Sequence, residues 1–226
     1  MEVSGERCPI CGATTEEDIP AEIFWCDICD LPVIIPLSSD NKNICPLCSG
    51  KMRHLATDIR PVFPEERLLL AALLDKPLGF FINRSVWALN SRYYIDGKSI
   101  NVSAKSFAEV DADSIVARIS SANVEISYTR FDNDVVNFVR ANRYRLSALK
   151  DEAESFVRCT AKRFSSERVV ISFSGGKDST VVADIVTRAL NNPSLVHIFG
   201  NTTLEFPTTL AYAFALWRDS FAQSIL

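Results

Sequence analysis

The sequence lacks a long hydrophobic run, a hydrophobic leader and an excess of positive charge. Its longest apolar stretch is Leu68–Leu74, far shorter than the ~20 residues that a membrane-spanning helix needs. Met1–Arg7 contains no apolar signal core, so we expect a cytoplasmic protein with no membrane association. Because 28 Asp and Glu outnumber 24 Lys and Arg, the net charge is −4, and no global field attracts the protein to nucleic acid.

Six of the seven cysteines form three pairs with the same Cys-x-x-Cys spacing. The pairs are Cys8 and Cys11, Cys26 and Cys29, and Cys45 and Cys48. Each pair can form a knuckle that directs two thiolates at one metal ion, and two knuckles complete a tetrahedral zinc site. The pattern therefore indicates a structural zinc ribbon rather than a set of disulfides.

The spacing leaves open which pairs share the metal. We predict a site formed by Cys26, Cys29, Cys45 and Cys48, because the strand-like run Leu31–Leu37 follows the first of these knuckles as in a zinc ribbon. The alternative set is Cys8, Cys11, Cys26 and Cys29. An iron–sulfur cluster is the alternative to zinc, and His54 is interpreted as a surface histidine rather than a further ligand. The metal would replace a hydrophobic core that so short a segment cannot build.

A second motif lies at Ser174–Thr180, where the sequence reads Ser-Gly-Gly-Lys-Asp-Ser-Thr. The β-branched run Val169–Phe173 before it predicts a buried strand, and Val181–Val186 after it predicts an apolar helix. Adjacent glycines let an anion approach the backbone, and the helix start offers free N–H groups and the positive end of its dipole. Lys177 adds a cation, so the motif predicts a phosphate site, although its spacing is not that of a Walker A loop.

A third pattern, after the next predicted strand, narrows the type of phosphate site. The strand-like run Leu195–Phe199 precedes Gly200–Thr209, whose sequence is Gly-Asn-Thr-Thr-Leu-Glu-Phe-Pro-Thr-Thr. Together the two motifs resemble the PP-loop ATP pyrophosphatases, and within them the phosphoadenosine phosphosulfate (PAPS) reductase branch, whose segment reads Asp-Thr-Gly-x-Glu-Phe-Pro-Glu-Thr. The resemblance implies a doubly wound parallel sheet that binds ATP, PAPS or adenosine phosphosulfate, with Mg²⁺ as a further cofactor and a thioredoxin-like reductant as partner.

The resemblance also implies a nucleotide-binding set drawn from both motifs. Its members are Ser172, Phe173, Ser174, Gly175, Gly176, Lys177, Asp178, Ser179, Thr180, Asn201, Thr202, Thr203 and Glu205. Asn201 and Thr203 stand where the family often has aspartate and glycine, so no carboxylate for Mg²⁺ or a ribose hydroxyl carries over. The family's catalytic Cys-Gly-Leu-His motif has no counterpart, so the catalytic residue is unknown, and Cys159 is interpreted as a small packing residue.

The middle of the chain contains recognisable local signals. They predict a helix from Pro64, a hairpin at Asp96-Gly97, a helix over 112–120, a strand over 123–130 and a long, locally basic amphipathic helix over 133–164. We predict three segments: a Cys-rich zinc-ribbon-like region at 1–58, a small α+β domain at 64–130, and a long helix followed by the N-terminal half of the resembled domain at 131–226. The predicted fold class is therefore α/β.

The resemblance covers only residues 130–226. From Val169, 58 residues remain, whereas a complete domain needs on the order of 100–150 residues. Only the front half of the resembled catalytic domain is therefore recognisable in the sequence. We therefore expect a truncated gene product, an incomplete sequence or a fragment that another chain completes.

Three functions fit these patterns. The first is an adenine-nucleotide-dependent enzyme of sulfur metabolism similar to PAPS reductase, in which a thiolate attacks the sulfur of an activated sulfate. The second is ATP-dependent thiolation of tRNA or DNA, with the zinc ribbon and the basic helix holding the nucleic acid. The third is a non-catalytic zinc-binding interaction fragment.

Overall fold

The fold comes from a computed structural model, which describes residues 21–36, 39, 43–102, 110–122, 124–165, 168–201 and 203–221. Within these residues the chain divides into an N-terminal unit that ends at Leu146 and a C-terminal unit that begins at Ser147. None of the described helices is long and apolar enough to cross a membrane. The division predicted from the sequence, at 1–58, 64–130 and 131–226, stays a prediction.

A three-stranded antiparallel sheet carries the cysteine pairs. Its strands, in the spatial order β2-β1-β3, are β1 (Ala21–Cys26), β2 (Leu31–Pro36) and β3 (Met52–Ala56). The predicted strand after the first knuckle is therefore present. Phe24, Leu31, Val33 and Met52 form a small core with the buried thiols Cys26 and Cys45.

A second antiparallel sheet follows, with its strands in sequence order. They are β4 (Arg60–Pro61), β5 (Val86–Leu89), β6 (Arg92–Ile95) and β7 (Lys98–Asn101). The predicted hairpin around Asp96-Gly97 is β6–β7. The predicted helix from Pro64 is α1 (Pro64–Leu73), and a 3₁₀ turn follows at Leu78–Phe81. Leu70 and Ala71 of α1 pack against Val62 and Val86, which closes a hydrophobic core under this sheet.

The two sheets of the N-terminal unit meet at a cluster of tryptophans. Trp25 and Trp87 are fully buried and share a cluster with Ala56 and Tyr94. The turn of the β6–β7 hairpin lies over Trp25 at Gly97, whose φ is +72° and whose carbonyl accepts a hydrogen bond of 2.6 Å from Arg53 Nη2. The hairpin turn therefore packs directly on the ribbon sheet.

Three helices follow the second sheet. They are α2 (Ala112–Ser121), α3 (Thr129–Ala141) and α4 (Arg143–Ala161). The predicted helix over 112–120 is confirmed, whereas the strand predicted over 123–130 is wrong. Among the described residues of that stretch, 124–128 are irregular and Thr129 begins α3. Val124 packs against the cluster formed by α1 and α2 around Leu68 and Ala72, so its apolar character serves a helix contact instead of a sheet.

The prediction of one long helix over 133–164 is also wrong, because the helix is interrupted at Asn142. This residue ends α3, and its carbonyl accepts from Leu146 N–H at the start of α4. Its amide oxygen accepts a hydrogen bond of 2.6 Å from Ile34 N–H, and its amide nitrogen donates to Phe138 O. Asn142 is 2% exposed. The side chain of Asn142, which interrupts the helix, thus satisfies the backbone N–H of Ile34 on the edge strand β2.

The C-terminal unit contains the two predicted parallel strands. Its elements are β8 (Val170–Phe173), α5 (Lys177–Ala189), β9 (Val196–Phe199) and α6 (Pro207–Phe221). β8 and β9 pair in parallel, with Phe173 opposite Phe199. Ile171 and Phe173 are buried, whereas Val170 and Ser172 on the other face of β8 are exposed. The chain is thus of mixed α/β structure with a parallel sheet, as predicted at that level.

We expect Gly97→Ala to destabilise the N-terminal unit. A Cβ atom there would lie 2.4 Å from Trp25 Nε1 and 2.4 Å from Arg53 Nη2, and alanine disfavours a φ of +72°. The free energy of unfolding should fall by about 2–4 kcal/mol, measured by denaturant unfolding with tryptophan fluorescence.

Gly79→Ala is the matched control for this substitution. The nearest atom to its Cβ would be Ile82 Cδ1 at 4.0 Å, and we expect a change within about 0.5 kcal/mol. Equal stabilities for the two variants would contradict the packing of the hairpin turn on Trp25.

Candidate metal centre and nucleotide-binding loop

Two knuckles of the same geometry present the cysteine pairs. In the first, Asp30 N–H donates to Cys26 O at 2.9 Å, and in the second Ser49 N–H donates to Cys45 O at 2.8 Å. Asp30 and Ser49 both have positive φ, 55° and 58°, which turns the chain back after each pair. Backbone N–H groups also point at sulfur, from Cys29 to Cys26 Sγ and from Gly50 to Cys48 Sγ, each at 3.4 Å.

The four sulfur atoms of these knuckles converge. They belong to Cys26, Cys29, Cys45 and Cys48, and all lie within 4.8 Å of one another. The Sγ atoms of Cys26 and Cys48 are 3.5 Å apart, and those of Cys29 and Cys45 are 3.9 Å apart. A tetrahedral zinc site with Zn–S bonds of ~2.3 Å has sulfur–sulfur distances of about 3.8 Å, so the cluster could hold a metal such as zinc.

The predicted grouping of the second and third cysteine pairs is thus compatible with the structure. Cys8 and Cys11, which belong to the alternative set, lie outside the described residues. His54 is exposed, and its ring packs edge-on against Phe24 with centroids 5.7 Å apart. It does not belong to the cluster found among the described residues.

The thiols differ in their electrostatic surroundings. Burial raises the pKa of Cys26 and of Cys29, and hydrogen bonds to the neighbouring thiols raise them further. At the rim, the hydrogen bond from Gly50 N–H lowers the pKa of Cys48 to about 7. Four adjacent thiolates are therefore unfavourable on their own, and a bound cation supplies the positive charge that stabilises them together.

The second motif forms the turn between β8 and α5. Gly175 has a φ of +75°, and a Cβ atom there would lie 2.9 Å from Thr209 Cγ2, so both backbone and packing require glycine. Gly176 precedes the helix with φ −83° and ψ 163°, and no side chain caps the helix start. A Cβ atom at Gly176 would meet only Ser174 Oγ at 3.5 Å. The second glycine is therefore not required by the packing of the chain.

Hydroxyl groups hold the turn from inside. Ser179 Oγ donates to Gly176 O at 2.9 Å and accepts a hydrogen bond of 3.3 Å from Ser174 N–H. Thr180 Oγ1 donates to the same carbonyl at 2.9 Å. These bonds fix the turn while the start of α5 stays without a side-chain cap, which is the arrangement of an anion-binding helix N-terminus.

Charged side chains lie at the mouth of the turn. Lys177 Nζ is 2.7 Å from Asp178 Oδ1, and the two side chains are 88% and 87% exposed. An ion pair so exposed contributes little to stability, so Lys177 is available to an anionic ligand at small cost.

The loop after β9 leaves the same edge of the sheet, because β8 and β9 are parallel and end opposite each other. Thr203 has a φ of +67°, and its N–H donates to Asn201 Oδ1 at 2.8 Å, which makes a local turn. Glu205 is half-buried, and Thr202 lies outside the described residues. Asn201 thus shapes the loop at the position where the resembled family has aspartate.

The remaining predicted residues, Ser172 and Phe173, lie in β8 itself. Ser172 is exposed on the open face of the sheet, opposite Ile198. Phe173 is 7% exposed, with its ring centroid 6.5 Å from that of Phe199 and 6.3 Å from that of Tyr212. Phe173 thus belongs to the core under the turn.

Sequence reasoning missed two residues of α6 that contact the turn. Thr209 packs against Gly175, and the hydroxyl of Tyr212 lies 3.2 Å from Thr180 Oγ1. Their spacing of three residues places them on one face of α6. The sequence shows this spacing, but it does not show that this face of α6 contacts the turn between β8 and α5.

Comparison with known proteins gives one match. Residues 168–219 match the family model of the phosphoadenosine phosphosulfate reductase domain. The matched segment runs from the start of β8 into α6 and includes the turn and the loop after β9. It covers only part of the 226 residues and supports the PAPS reductase family at that level. No curated protein and no solved structure gives a significant match.

Removal of the metal should destabilise the N-terminal unit. We expect chelation, or Cys26→Ser, to lower its free energy of unfolding by about 3 kcal/mol or more, because a ligand held only by the folded state stabilises it by mass action. Thermal unfolding followed by tryptophan fluorescence measures this change, since Trp25 adjoins Cys26, and elemental analysis measures the bound metal.

Cys159→Ser is the matched control, because Cys159 lies on α4 outside the sulfur cluster. We expect its metal content and unfolding temperature to equal those of the wild type. If the metal-free protein unfolded at the same temperature as the loaded protein, the cluster would have no structural role.

Proposed function

We propose that the C-terminal unit binds the phosphate groups of an adenine nucleotide, and that the protein is an enzyme of sulfur metabolism similar to PAPS reductase. One observation carries the proposal. The segment that matches the family contains a glycine turn at the carboxyl end of a parallel strand, with an uncapped helix start after it. Open α/β sheets bind their ligands at this edge.

The local chemistry of the turn supports an anionic ligand. Two glycines give an anion access to backbone N–H groups, and the dipole of α5 favours negative charge at its first turn. Lys177 adds a full charge there. Because Gly175 is required by the fold and Gly176 is not, the second glycine is best explained by the close approach of a ligand.

In the proposed reaction the turn holds the nucleotide while a thiolate attacks the sulfur of the activated sulfate. A sulfur–sulfur bond forms, the bond from this sulfur to the phosphate oxygen breaks, and the nucleotide leaves with that oxygen on its phosphate. A thioredoxin-like dithiol supplies the electrons and becomes a disulfide, and sulfite is released. Among the described residues, Cys159 is the only cysteine outside the metal cluster, and we assign it no role. The four clustered cysteines bind zinc in a structural role, because all four positions of the metal would be filled by protein thiolates.

Calorimetric titration of the same protein with PAPS and with ATP tests this function. We expect PAPS to bind more tightly, and Lys177→Ala to weaken its binding about tenfold or more through loss of a charge-assisted hydrogen bond. Lys150→Ala is the matched control, because it removes the same charge from α4, where Lys150 pairs with Glu154. This control should bind as the wild type does.

The two nucleotides also separate the alternatives. A preference for ATP would favour ATP-dependent thiolation of tRNA or DNA, and pyrophosphate release stimulated by nucleic acid would then be the next measurement. Binding of neither nucleotide by a folded protein would contradict the proposal and leave the non-catalytic zinc-binding fragment as the best explanation.

Gly176→Ala should separate ligand approach from folding. The new methyl group has 3.5 Å of space against the protein, so the unfolding temperature should fall only slightly, by the cost of alanine in place of glycine at this N-cap position. It would occupy the place of the phosphate, so affinity for the nucleotide should fall at least about tenfold.

Gly200→Ala is the control in the neighbouring loop, where a Cβ atom would meet nothing within 4 Å. We expect it to bind and unfold as the wild type does. Unchanged nucleotide binding by Gly176→Ala would rule out phosphate contact at this turn.

A further inference from the structure

The two metal knuckles are alike in their backbone but differ in what holds them. In the first, Cys26 is fully buried and Cys29 is half-buried. In the second, Cys45 is buried and Cys48 is exposed. Asp30 and Ser49 occupy the same place after each pair, with the same left-handed backbone and the same hydrogen bond back to the first cysteine. The chain therefore offers an internal comparison.

Asp30 connects the first knuckle to two other elements. Its carbonyl accepts a hydrogen bond of 3.1 Å from Ser85 Oγ, just before β5, and its carboxylate pairs with Arg130 Nη2 on α3. Ser85 Oγ in turn accepts from Trp87 Nε1 at 2.9 Å. The side chain of Ser49, in contrast, is exposed at the rim of the second knuckle. Only the first knuckle is tied to the core in this way among the described residues.

The ion pair between Asp30 and Arg130 is extended by further charged side chains into the hydrophobic core. Arg130 Nε lies 2.9 Å from Asp134 Oδ1, and Asp134 Oδ2 lies 3.5 Å from Arg67 Nη2. The side chains of Asp134 and Arg67 are 7% and 1% exposed. Burial raises the pKa of Asp134 to about 6, while the neighbouring Arg130 and Arg67 favour its charged form. The row of charges therefore runs from the knuckle to α1.

We propose that Asp30 and Arg130 are positioning residues for the metal centre. They hold the first knuckle as a preformed half-site, and the second knuckle closes over the metal from the exposed side. Residues behind the ligands that fix their orientation commonly govern metal affinity. The metal would then leave by release of Cys48. Its residence time would depend on the ion pair between Asp30 and Arg130, although neither residue is a metal ligand.

The test measures the transfer of Zn²⁺ from the loaded full-length protein to a chromogenic chelator, 4-(2-pyridylazo)resorcinol. Asp30→Asn is the informative variant, because asparagine has the same shape and tolerates the left-handed backbone. It removes the charge that binds Arg130, and we expect Zn²⁺ release about tenfold faster than from the wild type. Ser49→Asn, the equivalent change in the second knuckle, should release Zn²⁺ at the wild-type rate.

A second variant separates positioning from general loss of structure. Arg130→Lys keeps the positive charge. The planar guanidinium of arginine contacts Asp30 and Asp134 together, whereas the single ammonium group of lysine cannot. We expect it to release Zn²⁺ as fast as Asp30→Asn, and the double variant to be no faster than either single one. Circular dichroism at the assay temperature verifies that each loaded variant is folded.

Two results would overturn the proposal. One is equal release rates for wild type, Asp30→Asn and Ser49→Asn, which would show that the ion pair does not act on the metal. The other is a wild-type protein that binds no Zn²⁺. Neither result bears on nucleotide binding by the C-terminal unit, so this proposal and the proposed nucleotide-binding function fail independently.

Discussion

A buried positive charge constrains the architecture of the N-terminal unit. Arg67 is 1% exposed, and its guanidinium donates to the carbonyls of Val62, Ile82 and Arg84. A buried cation without partners would cost several kcal/mol, so these carbonyls and Asp134 must all be present when α1 packs. The start of α1, the segment before β5 and the helix α3 are therefore held around one side chain.

The same constraint connects the core to the cysteine-rich sheet. Asp134 also faces Arg130, and Arg130 binds the residue that closes the first knuckle. The ribbon sheet packs Trp25 against the second sheet, and its four clustered cysteines could bind a metal that would stabilise it further. Buried charges thus connect the cysteine-rich sheet to the core of the N-terminal unit.

The sequence predicted those features whose chemistry is local. The cysteine knuckles, the turn after β8 and the hairpin at Asp96-Gly97 each depend on neighbouring residues, so a short pattern specifies them. Features that depend on distant partners were missed. Asn142 interrupts a convincing helical pattern because it binds Ile34, 108 residues earlier, and the contact of Tyr212 with Thr180 needs the packing of α6. Helical periodicity contains no information about such partners.

The two glycines of the turn after β8 show how a motif combines fold and function. Gly175 is fixed by positive φ and by Thr209, so any protein with this backbone would need it whether or not a ligand binds. At Gly176 the backbone is extended and the space is open, so neither reason applies. Serine, asparagine or aspartate would be the better residue if folding alone mattered, because Gly176 is the N-cap of α5 and such a side chain would accept a hydrogen bond from the first turn of the helix. A glycine that the fold does not require, beside an uncapped helix start, is therefore stronger evidence for an anionic ligand than the adjacent glycine that the fold does require.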